Sequence, residues 1–294
     1  VTDRRAAAET FTLRGSDGVA VVATRYAAAP PVVVDADSDT VAIVIACATG
    51  VPQTLYRGLA TWLAGQGHTV YTFDWRGTAA SRPKRLRGFT ADFRHWVLDL
   101  DTVLAHALER HAKVSLIGHS IGGFLAPVAE HAPRLHRLVL VGAQTAYWRD
   151  WPRWHRLPMA LLWHGAMPLA TWICGYFPGR ALRLGEDLPR GVALAWAARP
   201  WRDPFATRQL GAQAGDAASL YARRLPPVTL FAASDDPFAT PAAMRRVAER
   251  LRDAAVATHT LAPHEAGQRR IGHFDLFRRR AQPLWPRLRQ AALA

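Results

Sequence analysis

Short apolar, β-branched runs bounded by Gly, Pro or Asp recur along this chain, with helical patterns in the gaps between them. The runs are Val19 to Tyr26, Val41 to Cys47, His68 to Phe73, Val114 to Ile117, Arg137 to Val141, Val228 to Ala232 and Val256 to Leu261. Most are nearly continuous in apolar residues instead of alternating, as strands covered on both faces of a mainly parallel sheet must be. The helical patterns are Leu55 to Gln66, Asp92 to His111, Ile121 to Glu130, Pro241 to Arg252 and Leu276 to Ala292. Alternation of this kind predicts an α/β fold with a doubly wound, mostly parallel sheet. Phe11 to Arg14 and Val19 to Tyr26 flank Gly15-Ser16-Asp17-Gly18, a hairpin signal, so the sheet is expected to begin antiparallel.

The alternation stops between Ala146 and Arg224. Seven of the eleven tryptophans fall there: Trp148, Trp151, Trp154, Trp163, Trp172, Trp196 and Trp201. With no convincing strand in it, residues 146–224 read as a helical lid inserted after the sixth strand, leaving 1–145 and 225–294 as the core. The tryptophans are expected to serve mainly as that insertion's own core. Leu157 to Gly179 holds no Asp, Glu, Lys or Arg, long enough to cross a bilayer. Three prolines, two internal glycines and His164 interrupt it, so two short buried or half-buried helices are expected instead.

A half-apolar composition excludes a disordered chain, and two cysteines in 294 residues exclude a disulfide-stapled scaffold. The formal charge is +14, carried almost wholly by arginine, since Lys84 and Lys113 are the two lysines. Such an excess bears on solubility and encounters; by itself it does not make nucleic acid an expected partner. The first fifteen residues contain no apolar h-region, and this absence with the few cysteines gives a cytoplasmic expectation. There is no Cys/His cluster, no His-Glu-x-x-His and no dinucleotide or phosphate-loop fingerprint, so neither metal nor cofactor is expected.

The chemistry concentrates where Val114 to Ile117 runs into Gly118-His119-Ser120-Ile121-Gly122-Gly123 and then a helical pattern. This is G-x-S-x-G in its strand–turn–helix context. A serine on so sharp a turn projects its hydroxyl above the sheet. Strand and helix then pass so closely that the positions two before and two after must be small, as Gly118 and Gly122 are. The same turn aims the Ile121 amide at a developing oxyanion. A serine hydroxyl needs a base, and the base needs a partner to fix its tautomer. Candidates follow in the order Ser, Asp, His: Asp235 and Asp236 after the run ending at Ala232, then His264 and His273 after the last run.

With Ser120 in its elbow, Ser234-Asp235-Asp236-Pro237 and the late Ile271-Gly272-His273-Phe274 segment, the chain resembles the α/β-hydrolase superfamily, in particular poorly characterised bacterial predicted hydrolases. The resemblance covers nearly the whole chain outside the insertion. It implies Ser120 as nucleophile, His273 as general base and then acid, and Asp236 as the orienting carboxylate. Asp236 is preferred to Asp235 because related loops place the acid about five residues before the helix-opening proline, here Pro241; Asp235 stays as the alternative. His264 is the rival base but lacks the preceding glycine. His95, His106 and His111 are expected to be packing or surface residues.

Relatives place a second oxyanion donor after the third strand, often in a His-Gly pair. Here the loop is Ala48-Thr49-Gly50-Val51-Pro52-Gln53, so the resemblance implies the Val51 amide, with Thr49 in place of the histidine. Asp74-Trp75-Arg76-Gly77-Thr78-Ala79-Ala80-Ser81 resembles the family's D-x-R-G-x-G-x-S loop, structural in relatives, with Ala79 where a glycine is usual. Ser120 precedes the uncharged stretch while Asp236 and His273 follow it, so a single membrane span there would separate the triad.

These features imply a serine hydrolase acting on a small-molecule carboxylic ester or thioester with an apolar acyl group. The alternatives are an acyltransferase using the same triad, or a catalytically inactive hydrolase fold serving as a binding or scaffold protein. Arg82-Pro83-Lys84-Arg85-Leu86-Arg87 lies beyond the fourth strand, where it would be either a solvated face or a handle for an anionic substrate.

Overall fold

The structure, a computed structural model, describes residues 8–29, 40–198, 221 and 223–294. Eight strands form one sheet: β1 (Ala8–Arg14), β2 (Ala20–Tyr26), β3 (Val41–Ala46), β4 (Val70–Phe73), β5 (Lys113–His119), β6 (Leu138–Val141), and then, beyond two short strands described below, β9 (Val228–Ala233) and β10 (Val256–Leu261). Their spatial order is β1-β2-β4-β3-β5-β6-β9-β10. The first two strands pair antiparallel across the predicted turn, and β2 meets β4 antiparallel. Every pairing from β4 to β10 is parallel. All six residues of β3 are buried, as a strand covered on both faces requires. β3 and β5 are central, so the elbow at the end of β5 rises from the middle of the C-terminal edge.

The helices α1 (Arg57–Gly65), α2 (Phe93–Leu108) and α3 (Ile121–Leu125) follow the expected crossovers. Asp92 caps α2, accepting from the Arg94 and His95 amides. The helix expected over Pro241 to Arg252 stops at Ala248, and two others fall further short of their patterns. The α-helix after Ser120 ends at Leu125, because Pro127 cannot donate and the chain continues as a 3₁₀ turn over Ala126–Val128. At the C-terminus only Trp285–Leu293 is α-helical; 3₁₀ turns occupy Asp275–Phe277 and Arg279–Leu284, the second of them containing Pro283.

The Asp74–Ser81 loop is structural. Arg76, fully buried, donates through Nε to Asp99 Oδ1 at 2.6 Å and through its backbone N–H to Oδ2 at 2.8 Å, and it also pairs with Asp17 of the β1–β2 turn. One guanidinium thereby fastens the hairpin and α2 to the end of β4. Burial pushes the Asp99 carboxyl up to about 7, against the pull of Arg76.

Between β6 and β9 the sequence expectation needs correction. Residues Arg153–Cys174 form one run of helix instead of two short ones: α4 (Arg153–Leu161), a π segment (Leu162–Ala166) and α5 (Met167–Cys174). Pro168 lacks an N–H and would clash with the carbonyl four residues back; the wider π turn just before it absorbs that conflict without breaking the helix. Only Met167 and Thr171 of this helix are buried; one side, with Met159, Trp163 and Ala170, is half-buried as expected, and the other is exposed. Two-residue strands β7 (Tyr176–Phe177) and β8 (Leu188–Pro189) pair antiparallel where no strand was expected, and α6 (Arg190–Ala197) follows. Trp151 and Trp196 are buried and Trp163 stacks on Trp196, as an insertion's own core would have them. Trp154 and Trp172 contradict that expectation, at 72% and 75% exposed. Trp201 lies outside the described residues.

Candidate active site

Ser120 sits between β5 and α3 with φ +52° and ψ −111°, a conformation that costs a residue with a side chain of order 1–3 kcal/mol. The small neighbours are obligatory. A methyl group on Gly118 would lie 2.7 Å from Gly123 Cα, and one on Gly122 would lie 2.5 Å from the Ala46 carbonyl oxygen. Packing of strand against helix therefore holds the strained turn in place. The Ser120 N–H donates to Val141 O at 2.8 Å, fixing the elbow to β6, and its side chain does not cap the helix. Among the described residues the Ile121 amide has no hydrogen-bond partner, as expected of a first-turn N–H.

His273 and Asp236 come together at the same edge. His273 Nδ1 donates to Asp236 Oδ2 at 2.7 Å, which leaves Nε2 as the ring's basic nitrogen. Asp236 is held by the Phe238 and Ala239 amides, which donate to its Oδ1 at 2.8 and 3.0 Å. Asp235 does something different: its carboxylate accepts from the Ile271 and Gly272 amides at 3.0 and 2.9 Å, stapling the loop that carries His273. His264 is exposed on the 3₁₀ turn Pro263–Ala266. His95 belongs to the α2 cap, while His106 and His111 pack against Tyr71. No hydrogen bond joins Ser120 Oγ to His273 among the described residues.

What joins the two loops is the residue before the serine. His119 is fully buried, and its Nε2 donates to the His273 carbonyl oxygen at 2.9 Å. Its Nδ1 is therefore an acceptor, and Tyr56 O–H donates to it at 2.7 Å. The Tyr56 oxygen in turn accepts from the Ala48 N–H at 2.8 Å. One directional relay thus runs from the loop after β3, through Tyr56 and the elbow, to the backbone of His273. Burial holds the His119 imidazole well below its usual pKa, with the His273 ring adding to the effect, so the ring is neutral. A third contributor is Gly142, at φ +60° after β6: a methyl group there would stand 3.0 Å from His273 Cε1 and 3.4 Å from Asp236 Oδ2. Sequence reasoning missed Tyr56 and Gly142 and gave His119 no role; only the glycine, directly after a strand, carried a readable signal.

The loop after β3 is held on two sides. Gly50 takes φ +66°, the left-handed conformation that suits glycine, and the Val51 N–H donates to Ala48 O at 3.3 Å. Gln53 donates to both oxygens of Asp74, from its N–H at 2.7 Å and from Nε2 at 2.9 Å. From the other side, Glu186 N–H donates to Gly50 O at 2.8 Å and Trp196 Nε1 donates to Thr49 Oγ1 at 3.1 Å. The basic loop also reaches this segment: Arg82 pairs with Asp187 at 2.5 Å, and Arg87 donates to the carbonyls of Ile173 and Cys174. Two of its cations thus have structural work, and Lys84 and Arg85 stay exposed.

A family model described as serine aminopeptidase, S33, matches residues 42–265. Solved structures are similar in fold. An esterase from Pyrococcus furiosus aligns with a TM-score of 0.58 at 13% identity, over 97% of this chain and 90% of that one. The thioesterase domain from the curacin biosynthetic pathway gives 0.56 at 15%, over 96% and 99%. An α/β serine hydrolase without lid from Xanthomonas campestris gives 0.54 at 14%, over 97% and 93%. No curated protein matches the chain.

Proposed function

The chain belongs to the serine aminopeptidase S33 family of the α/β-hydrolase superfamily, and on that premise we propose that it is a serine hydrolase cleaving a carboxylic ester or thioester with an apolar acyl group. The observation that carries this reading is the 2.7 Å contact of His273 Nδ1 with Asp236 Oδ2 at the sheet edge where Ser120 occupies its strained elbow. Esterase and thioesterase neighbours of the same fold favour oxygen and sulfur esters as the substrate class.

In this reading Ser120 Oγ attacks the acyl carbon as His273 Nε2 takes its proton. Asp236 keeps the Nδ1–H in place and stabilises the imidazolium. The tetrahedral oxyanion is met by the Ile121 amide, already without a partner, and by the Val51 amide, which must give up its long bond to Ala48 O. Collapse expels the alcohol or thiol, which takes the proton from His273, and leaves an acyl-enzyme. Water then repeats the sequence with His273 again as base. The described residues of the insertion after β6 serve as a cap over this edge, supported by the bonds of Glu186 to Gly50 and of Trp196 to Thr49. Loss of one oxyanion donor lowers kcat by about 10²–10³, so anything that displaces Gly50 reaches the chemistry through Val51.

A fluorophosphonate probe tests the nucleophile. The wild-type protein should label and Ser120→Ala should not; equal labelling of the two removes Ser120 from the reaction. No labelling of a folded wild-type protein favours the binding or scaffold role instead. A panel of esters and thioesters of rising acyl length then defines the pocket, with Ser120→Ala as the blank.

A further inference from the structure

The helix from Arg153 to Cys174 is long and apolar enough to cross a bilayer, about 33 Å at 1.5 Å per residue, yet both its ends are tied to the same core. Before it, Asp150 pairs with Arg246 of the helix α7 (Pro241–Ala248) at 2.7 Å, and Thr240 Oγ1 donates to Asp150 O at 2.7 Å. After it, Arg87 holds the last carbonyls and Phe177 is buried. The helix therefore lies along the molecule, with Met167 and Thr171 inward. Its outer face carries Trp154, Leu157, Leu161, Leu169, Trp172 and Ile173, each between 60% and 75% exposed. Their spacing puts them in one stripe along the whole helix, far more contiguous apolar surface than scattered exposed leucines provide.

Beside this stripe the acids are paired and the charges left without a partner are cations. From Trp151 to Gly185 there is no Asp or Glu. Arg153 begins the helix, and Arg183 and Arg190 follow it. All three are exposed and, among the described residues, have no acidic partner; the same holds for Lys84 and Arg85, in the loop whose Arg87 touches the helix end. At that end the stripe runs into an open cleft of about 620 Å³, walled by Phe89, Trp172, Ile173 and Leu194 with Arg87 and Arg190 beside them. Asp92, also in its wall, is already taken by Arg94 and His95.

We propose that this face docks flat on an anionic lipid bilayer, the tryptophans and aliphatic side chains entering the headgroup–acyl boundary and the arginines meeting lipid phosphates and carboxylates. Tryptophan and leucine on one side of a helix with arginine at its margins is the composition that stabilises an interfacial, non-spanning helix. Charge complementarity selects this occupant. A second copy of the chain would bring the same arginine-edged face, its one cleft carboxylate already paired, against itself, in a protein already at +14. A bilayer rich in phosphatidylserine supplies the opposite charge and an apolar layer together. The inference concerns binding alone and stands apart from the assignment of Ser120.

Flotation of the full chain with vesicles tests it, using phosphatidylcholine alone and phosphatidylcholine with about one-third phosphatidylserine, at about 0.05 and 0.5 M salt. Binding is expected on the anionic vesicles at low salt, weaker at high salt, and at least about tenfold weaker for Trp154→Ser/Trp172→Ser, whose side chains are too exposed for their loss to unfold the protein. Arg153→Glu/Arg190→Glu should weaken anionic binding alone, and Ser120→Ala should bind as wild type. Failure to float with any vesicle at low salt overturns the proposal, as does binding indifferent to the double tryptophan change or to phosphatidylserine. Sedimentation of lipid-free protein gives the rival outcome: a dimer abolished by Trp154→Ser/Trp172→Ser, with no vesicle binding, assigns the face to a second copy instead.

Discussion

At the C-terminal edge of the sheet a single added methyl group has nowhere to go: on Gly122 it would press into the Ala46 carbonyl, on Gly118 into Gly123, on Gly142 against His273. On the outer face of α4 and α5, whole indole rings stand in solvent. The two regions also connect their polar groups differently. The edge ties Ala48, Tyr56, His119 and His273 into one directional relay with each of these members paired, while Thr145 Oγ1 in the loop after β6 is buried without a partner among the described residues. The helix leaves Trp163 Nε1 and Thr171 Oγ1 buried without partners among the described residues. A constellation that must hold two loops within hydrogen-bond reach needs over-determined geometry. A surface that meets fluid lipid needs only apolar area and the right charge around it.

Paired acids at the edge offer the sharpest way to break this contrast. If the edge sets function by geometry, neighbouring carboxylates there have different jobs. Asp236→Ala should lower kcat by about 10⁴ with little change in KM, because the imidazole loses its tautomer and its counter-charge. Asp235→Ala should act through the loop it staples, with a smaller kinetic loss and a lower unfolding midpoint, since the Ile271 and Gly272 amides lose their acceptor. Steady-state kinetics on the acyl panel with thermal unfolding separates the two; identical losses would dissolve the distinction.

Gly122→Ala comes next. The new carbon, 2.5 Å from a backbone oxygen, can be accommodated only by shifting β3 or the elbow, so the protein should lose about 2 kcal/mol or more. Fluorophosphonate labelling should slow with it. Denaturant unfolding gives the first number, and a loss under about 0.5 kcal/mol would mean the elbow is looser than its contacts imply.

That glycine was readable in sequence, and the relay beneath it was not. All seven predicted strand runs are strands, because burial on both faces leaves a continuous apolar signature that needs no tertiary knowledge. The elbow is equally local: strand, turn and helix are contiguous, and steric necessity writes itself as glycine. Tyr56 and His119 are 63 residues apart and His119 and His273 are 154 apart, so only the folded sheet makes them neighbours. The insertion misled for another reason. Its uncharged run and its prolines fit buried short helices as well as a continuous exposed one, and apolar content alone does not say whether protein or something else covers a face. Proline likewise settled the end of the chain: the pattern from Leu276 predicted one helix, but Pro283 confines the α-helix to Trp285–Leu293.

His119 extends the contrast to pH. Its imidazole is held neutral by burial, whereas in the unfolded chain it titrates near 6.5. Below that pH the unfolded state binds a proton that the native state refuses, so the stability present above pH 6.5 is lost as pH falls. His119→Gln keeps a donor for the His273 carbonyl and removes this proton. The variant starts less stable, but between about pH 6.5 and 5.5 wild type should lose roughly 1 kcal/mol more than it does. Denaturant titrations across that range check the slope, and parallel curves would show that the relay is open to water.

The smallest expected effect lies at the other pole. Trp154→Ser removes a large side chain, but one that folding leaves 72% exposed, so its transfer from water contributes little to holding the native state. The stability of the lipid-free protein should change by no more than about 0.5 kcal/mol. Tryptophan fluorescence makes the same point spectroscopically: the wild-type minus variant spectrum isolates residue 154 and should have the long-wavelength maximum of a hydrated indole. Addition of phosphatidylserine vesicles should then move that difference spectrum, and not the signal of buried Trp75 or Trp96, to shorter wavelength. A large loss of stability on substitution, or a difference spectrum already blue-shifted without lipid, would mean that the face is covered within the protein itself. The opposition between a locked edge and an open helix would then fail at its open end.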